Sequence, residues 1–95
     1  MPTSYEDIMA RRLGRMAPEE LAQLEVFRSA YEIAVQVIDL RLKHGLTQVQ
    51  LAERCGVDQA DISRIERGSV SPTTRTLQRI AEALDADVRL VSRTP

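Results

Sequence analysis

The sequence predicts an all-α fold, a bundle of short helices with a helical extension at its N-terminus and one short β-strand at its C-terminus. Three observations predict this architecture. Apolar residues recur every three or four positions along most of the 95 residues, which is the period of an amphipathic helix. Gly45, Gly56 and Gly68 stand where this period stops, and glycine favours the left-handed turn that ends a helix. The alternating residues 87–91 instead predict a strand.

Three parts are expected along the chain: an N-terminal helical extension over residues 1–30, a helical domain over 31–86, and a C-terminal strand and tail over 87–95. The extension should open with a short helix from Ser4 to Leu13, because Ser4 suits an N-cap and apolar residues follow at helical spacing. Gly14 is expected to end it.

A long helix is expected next. Pro18 suits its first position, and nothing breaks the helical pattern until His44, after which Gly45 supplies the left-handed cap. The length, roughly 26 residues, leaves open a bend or break near Ser29. The apolar arc of this helix spans roughly 220°, more than one packing face requires. One side should cover the neighbouring helices, and the other needs the N-terminal helix, a second copy or another protein as a lid.

Local signals mark the starts of the remaining helices. Thr47 and Gln50 have the spacing of a capping box. Asp58 is expected to cap the following helix, and the segment 71–74, Ser-Pro-Thr-Thr, to start the last one. That last helix should complete the core by Leu84.

The predicted C-terminal strand has no convincing partner strand elsewhere in the chain, and a lone strand cannot satisfy its own backbone groups. Val88 and Leu90 should point to one face, and Arg89 and Val91 to the other. Pairing with the same strand of a second copy would satisfy both. We therefore expect a homodimer in which Val88, Leu90 and Val91 form part of the contact.

Composition excludes several classes of protein. Cys55 is the only cysteine, so no internal disulfide can form, and no apolar signal segment opens the sequence, which together indicate a reducing cytoplasm. No apolar run approaches the roughly 20 residues of a membrane span. His44 is the only histidine and has no Cys or His at ligand spacing, so no metal site is expected. Without a nucleophile–base set or a phosphate loop, we expect neither an enzyme nor a cofactor.

The net charge of −1 is distributed unevenly. Residues 1–38 carry four arginines against six acidic residues, whereas residues 41–79 carry seven basic residues against four acidic ones. Positive potential therefore belongs to the second region. Because the surplus is small, affinity for a polyanion should depend on dimerisation or on a partner rather than on bulk electrostatics.

The region 47–68 has the pattern of two short helices joined by a tight turn at Gly56, with polar and basic side chains on the outer face of the second helix. It resembles the helix-turn-helix of the phage-repressor and Cro family, also called the XRE family. The residues that carry the resemblance are Leu46-Thr47-Gln48, Leu51-Ala52, Gly56 and Ile62-Ser63-Arg64-Ile65-Glu66-Arg67-Gly68. The resemblance implies a lambda-repressor-like helical bundle that binds double-stranded DNA.

An internal ion pair is expected between Arg41 and Glu66. Arg41 lies inside the apolar arc of the long helix, where an unpaired guanidinium is costly. Glu66 lies within about 40° of the inward-facing Ile62 on a helical wheel. The corresponding positions of the repressor family are similar and form such a pair. A phosphate contact by Arg41 is the alternative interpretation.

With Ile62 turned inward, the outer face of the second motif helix carries Ala60, Ser63, Arg64 and Arg67, with Gln59 at its N-terminal tip. Glutamine can pair with adenine and arginine with guanine. The resemblance places base contacts at Gln59, Ala60, Ser63 and Arg64, and phosphate contacts are expected from Gln48 and from the loop. The predicted DNA-binding set is Gln48, Gln59, Ala60, Ser63, Arg64, Arg67, Ser69, Ser71 and Thr73.

Several of these residues have a second interpretation. Arg64 and Arg67 could simply solvate an exposed face, and Ser71 and Thr73 could simply cap a helix. Asp61 is unexpected on a helix that faces phosphates. It could read a cytosine amino group, support Arg64, or exclude wrong sequences.

The helical N-terminal extension and the predicted C-terminal strand make the chain similar to the HigA-type antitoxins of bacterial toxin–antitoxin pairs. That resemblance implies an antitoxin that represses its own operon as a dimer on an inverted-repeat operator. It also implies a partner toxin, commonly an mRNA-cleaving enzyme. A free-standing XRE-family regulator without a toxin, and an interaction module that uses only the long helix, are the alternatives.

Overall fold

A computed structural model describes Gly14 and residues 17–94. Within this part of the chain the fold consists of four helices, which we number α1 (Pro18–Lys43), α2 (Gln48–Cys55), α3 (Gln59–Glu66) and α4 (Thr74–Ala83). The short helix predicted from Ser4 to Leu13 lies outside the described residues. None of the helices in the described part is both long and apolar enough to cross a membrane.

Helix α1 is the long helix that the sequence predicts, and it runs unbroken for 26 residues. Pro18 is its first residue, and two glutamates in the first turn face the positive end of the helix dipole. His44 is its C-cap, and Gly45 follows with a φ of 67°, as the left-handed cap requires. The helix continues without interruption across residues 30 and 31, where the sequence analysis divides the N-terminal extension from the helical domain.

The two halves of α1 differ in burial. No residue from Pro18 to Ser29 is buried, whereas Ala30, Ala34 and Val37 in the second half are. Helix α1 packs against α3, and its buried residues all lie in its second half. The first half, about 18 Å of helix, therefore contributes no buried residue to the core.

The short helices begin and end largely at the predicted signals. The Thr47 side chain accepts a hydrogen bond from the Gln50 amide at 3.1 Å, and the Gln50 side chain accepts one from the Thr47 amide at 2.9 Å, which confirms the capping box. Gly56 adopts a φ of 70° after α2. Thr73 caps α4 by accepting a hydrogen bond from the Thr76 amide at 3.2 Å.

The prediction for Asp58 was only partly right. It is the N-cap residue of α3, but its side chain makes no capping hydrogen bond. Its backbone carbonyl instead accepts from the amides of Asp61 and Ile62, both at 3.0 Å. Because Asp58 is exposed, water can solvate the first amides of α3 in place of the carboxylate.

The core lies where α2 meets α3 and α4 and where α1 covers α3. Leu51 of α2 and Ile62 of α3 are completely buried, and Ile80 and Leu84 close the other end. Burying a Leu or Ile side chain contributes about 1.5–3 kcal/mol. Aliphatic packing therefore fixes the angle between the two helices of the motif.

The predicted C-terminal strand is wrong for the described chain, which contains no strand within residues 17–94. The residues after α4 are irregular, and Asp85 turns the chain with a φ of 51°. The physical reason is that a strand forms only against a second extended segment, and the described helical chain supplies none. Leu90 is fully exposed and Val91 is 86% exposed.

Candidate nucleic-acid interface

Helices α2 and α3 and the turn between them form the helix-turn-helix. Ile62 and Ile65 of α3 face the core, as the helical wheel predicts, and both are buried. The opposite face of α3 is left for solvent. It carries the exposed residues Gln59, Ala60, Asp61 and Arg64, the exposed C-cap residue Arg67, and the half-buried Ser63.

The Arg41–Glu66 ion pair is present and joins α1 to α3. Arg41 Nε donates to Glu66 Oε2 at 2.7 Å, and its second terminal nitrogen donates to Oε1 at 2.8 Å. The remaining terminal nitrogen donates to the Leu46 carbonyl at 2.9 Å. The two side chains are only 13% and 5% exposed. Arg41 is thus committed to the interior, which excludes the alternative in which it reaches a phosphate.

The same pair affects the ionisation of Arg41. The hydrogen bonds that Arg41 donates to Glu66 raise the pKa of Arg41, desolvation of the guanidinium lowers it, and the negative charge of Glu66 adds to the increase. The guanidinium therefore stays charged although it is almost buried. A bidentate pair of this kind holds α3 in one rotation about its axis.

Gln48 and Gln59 lie next to each other and next to this pair. Gln48 Nε2 donates to Glu66 Oε1 at 3.2 Å, and Gln59 Nε2 donates to Gln48 Oε1 at 3.4 Å. The sequence analysis predicts a DNA contact for each of these glutamines, but it does not predict the hydrogen bonds that connect them to the interior. Their positions at the N-terminal ends of α2 and α3 are the only signal that could have suggested it.

Asp61 and Arg64 form an ion pair one turn apart on the outer face of α3. Arg64 donates to Asp61 Oδ1 at 2.7 Å, and about half of each side chain is exposed. Of the three roles that the sequence left open for Asp61, the structure supports the one in which it holds Arg64. An exposed pair such as this contributes little to stability, so its effect is mainly on the direction of the guanidinium.

Two residues near the loop between α3 and α4 that were predicted to bind phosphate, Ser69 and Thr73, make hydrogen bonds within the protein. The Ser69 hydroxyl donates to the Arg64 carbonyl at 3.0 Å and so helps to end α3. Thr73 caps α4, while Ser71 is exposed. Gly68 adopts a φ of 69°, and a Cβ atom there would lie 3.7 Å from the Tyr31 Cα of α1. The loop therefore lies directly against the middle of α1.

The predicted dimer residues lie elsewhere. Val88, Leu90 and Val91 line a groove of about 510 Å³ between α1, α4 and the tail. Ile33 and Leu77 form part of its wall. The structure therefore separates these residues from the outer face of α3, and a contact made through them would leave that face free.

A further exposed surface lies on α1. We define the α1 stripe as Phe27, Tyr31, Val35 and Leu42, which fall within an arc of about 80° on the helical wheel. All four are exposed, and Phe27 and Tyr31 are each 64% exposed. A single exposed apolar residue is ordinary, but a continuous stripe of this length is typical of a protein contact.

Among the described residues, no group of three His, Cys, Asp or Glu side chains is placed so that it could hold a metal ion. Cys55 is buried in the core, with its Sγ 3.9 Å from the Ala52 carbonyl. Its role here is that of a small apolar side chain.

Comparison with known proteins agrees with this geometry. The helix-turn-helix family model HTH_3 matches residues 37–91. The HigA1 antitoxin of Mycobacterium tuberculosis is 40% identical over 78 residues, which cover 82% of this chain and 52% of the antitoxin. An uncharacterized HTH-type transcriptional regulator of Sinorhizobium fredii is 43% identical over 56 residues, covering 58% of this chain and 73% of the regulator.

Among solved structures, a toxin–antitoxin module from Streptococcus pneumoniae aligns with 97% of this chain and 96% of its own, with a TM-score of 0.64 and 25% identity. The chain spans about half the length of the curated HigA1 antitoxins that it matches. The family match covers more than half of the chain and includes the whole motif. The chain therefore belongs to the HTH_3 helix-turn-helix family, the XRE family of DNA-binding transcriptional regulators.

Proposed function

We propose that this protein is a sequence-specific repressor that binds an inverted-repeat operator as a homodimer and serves as the antitoxin of a toxin–antitoxin pair. The observation that carries the DNA-binding part is the outer face of α3, where Gln59 and Arg64 stand exposed on a helix fixed from behind by Ile62 and Ile65. A helix held in this way can enter the major groove.

The residues divide by the kind of contact they can make. Arg64 can bind the two acceptors of a guanine, and Gln59 can pair with an adenine. Ala60 and Ser63 are small enough to let α3 approach the base edges. Contacts to phosphate are proposed for the remaining residues of the predicted set, Gln48, Arg67, Ser69, Ser71 and Thr73.

The homodimer follows from the size of one such surface. A single short recognition helix with few surrounding positive charges offers too few contacts for selective binding. Two copies with recognition helices about 34–36 Å apart would meet successive major grooves on one side of the duplex. The exposed Val88, Leu90 and Val91 are the proposed contact, because a second copy would remove their apolar surface from water.

The toxin partner is proposed from the relatives and from the α1 stripe. The HigA1 similarity covers 82% of the chain, and the similarity to the toxin–antitoxin module covers nearly all of it. The stripe lies on α1 and includes Phe27, in the half of the helix that has no buried residue, so a bound protein could reach these side chains. We propose the α1 stripe as the surface for a toxin that cleaves mRNA.

Two measurements test the function. The first is selection of duplexes from a random-sequence DNA pool by the full chain, which should return an inverted repeat. The second is co-purification with the product of the adjacent gene, followed by an mRNA-cleavage assay of that product with and without the chain. An inverted repeat without any toxin would leave a free-standing regulator, and the absence of any selected sequence would overturn the DNA-binding proposal.

A further inference from the structure

Two arginines that are far apart in the sequence line one open pocket on the surface. The pocket has a volume of about 230 Å³ and lies between α1 and the end of α3. Arg28 belongs to α1, and Arg67 is the C-cap residue of α3. The remaining lining residues are Leu24, Phe27, Tyr31 and Gly68. The stretch of α1 around Arg28 thus lies beside the end of the helix that is proposed to read bases.

The backbones of the two elements meet at Gly68. A Cβ atom on this residue would lie 3.7 Å from the Tyr31 Cα and 3.8 Å from its backbone nitrogen. The loop that follows Gly68 in the chain carries Ser69 and Ser71, two of the proposed phosphate contacts. The pocket therefore lies where the proposed phosphate-binding loop begins.

The charges that line this pocket favour an anion. Arg28 forms an ion pair with Glu25 at 3.7 Å, but the two side chains are 44% and 60% exposed, so the pair contributes little and the guanidinium can leave it. Arg67 forms no ion pair within the described residues. None of the described lining residues is acidic. Two positive charges that share a pocket in this way raise the local potential and attract a negative group.

We propose that Arg28 and Arg67 together bind one phosphate of the DNA backbone, so that the DNA-binding surface continues from the helix-turn-helix onto α1. This inference rests on the proposed binding of DNA by α3. Guanidinium groups suit a phosphate because each presents several N–H donors in one plane. The N-terminal half of α1, which lies outside the motif, would then take part in binding DNA.

The source of the phosphate follows from the position of Arg67. A helix in the major groove has a backbone of the duplex on either side, so residues at its end and in the following loop reach phosphates. A phosphate contact carries no direct sequence information. Arg28 should therefore strengthen binding to every duplex alike, in contrast to Arg64, whose proposed contact is to a base. The uncharged rings of Phe27 and Tyr31 are not needed for this contact.

The test measures how binding depends on salt. Arg28→Ala, Arg67→Ala and the double variant are compared with the wild-type chain by fluorescence anisotropy, on a duplex selected from a random-sequence pool and on a random duplex. Each single variant should bind both duplexes more weakly by the same factor, because one guanidinium holds the phosphate less tightly than two. In the double variant the slope of log K against log salt should become shallower by about 0.9, the value for one phosphate. Between about 50 and 200 mM salt, its affinity should fall about 3.5-fold less than that of the wild type.

Two further variants serve as controls. Arg28→Lys should keep most of the wild-type affinity for both duplexes, because it keeps the positive charge. Arg79→Ala removes an exposed arginine from α4, outside the pocket, and should bind both duplexes as the wild type does. Arg28 and Arg67 are both exposed, so every variant should unfold at the wild-type urea midpoint.

The possible outcomes separate this inference from the proposed function. If Arg28→Ala binds both duplexes as tightly as the wild type, α1 does not touch DNA and the inference is wrong, although DNA binding by α3 stands. If that variant instead binds the product of the adjacent gene more weakly, the pocket belongs to a protein partner. A slope that falls by about 1.8 in the double variant would mean two separate phosphates and would overturn the shared site. A wild-type chain that selects no duplex at all would refute the proposed function itself.

Discussion

Asp61 accepts a hydrogen bond from Arg64 at 2.7 Å on the face of α3 that points away from the core. An acidic side chain on a surface proposed to meet phosphates lowers affinity for every DNA sequence alike. It also holds the guanidinium in one direction before DNA arrives. We therefore propose that the pair lowers the general affinity for DNA and improves discrimination between sequences, which predicts one effect for each of its two members.

Replacing Arg64 with alanine should lower affinity for the selected duplex by about 1–3 kcal/mol, because its contact to a base edge is lost. Binding to a random duplex should change little. Fluorescence anisotropy with both duplexes measures the difference. Arg79→Ala, which removes an exposed arginine from α4, is the control. Equal losses on both duplexes would show that Arg64 contacts only phosphate.

The Asp61→Asn variant should bind random DNA more tightly, because one negative charge near the phosphates is removed. Discrimination should fall, since Arg64 loses the carboxylate that directs it. A repulsive charge near the backbone offsets about one phosphate contact, so the slope of log K against log salt should steepen by about 0.9. Tighter binding to the selected duplex with unchanged discrimination would mean that Asp61 acts only through its charge.

Removing one member of the buried ion pair should destabilise the fold. Glu66→Gln leaves the Arg41 guanidinium without its charged partner in the interior, at an expected loss of about 3–5 kcal/mol in the free energy of unfolding. Urea denaturation followed by circular dichroism measures it. The double variant Arg41→Met with Glu66→Leu should lose much less, because no charge stays buried. A wild-type midpoint for Glu66→Gln would show that the pair is solvated in solution.

Changes to the α1 stripe should separate toxin binding from DNA binding. The double variant Phe27→Ala with Tyr31→Ala should bind the toxin at least tenfold more weakly and keep the wild-type affinity for DNA. Both side chains are largely exposed, so stability should change by less than about 1 kcal/mol. Val26→Ala alters an exposed apolar residue on another side of α1 and is the control. Toxin binding that survives the double variant would place the interface elsewhere.

The proposed dimer is tested at the tail. Leu90→Asp should shift the sedimentation coefficient to that of a monomer and weaken operator binding, because a buried carboxylate in the contact is costly. The side chain is fully exposed within one chain, so the helical content should not change. Truncation after Ala86, which keeps the core through Leu84, should have the same effect. A dimer that persists in both variants would move the contact to another surface.

The helices could be predicted because their signals are local. Thr47 with Gln50, Gly45 and Gly56 determine helix ends through bonds to residues a few positions away. The ion pair could be predicted as well, since a charge inside an apolar arc requires an opposite charge from a facing helix. The absence of a strand over residues 87–91 could not be predicted, because alternation shows only what a segment would do if a partner strand were present.

The hydrogen bonds that link Gln59 through Gln48 to Glu66 could not be predicted from the sequence either. These hydrogen bonds require the N-terminal ends of α2 and α3 to lie close to each other and to the last turn of α3. The packing of Leu51 and Ile62 in the core determines that spacing. Asp58 illustrates the same limit on a smaller scale. Its residue type suits a cap, but whether the carboxylate turns toward the helix depends on solvent exposure at that position.

The half of α1 from Pro18 to Ser29, which has no buried residue, bears on how long the free chain survives in the presence of proteases. Opening these turns breaks helical hydrogen bonds but exposes no core, so it requires less free energy than global unfolding. Amides there should exchange with deuterium sooner than those near Val37, and cleavage should start there. A protein bound to that half would slow both processes, so the lifetime of the chain would report whether that half is occupied.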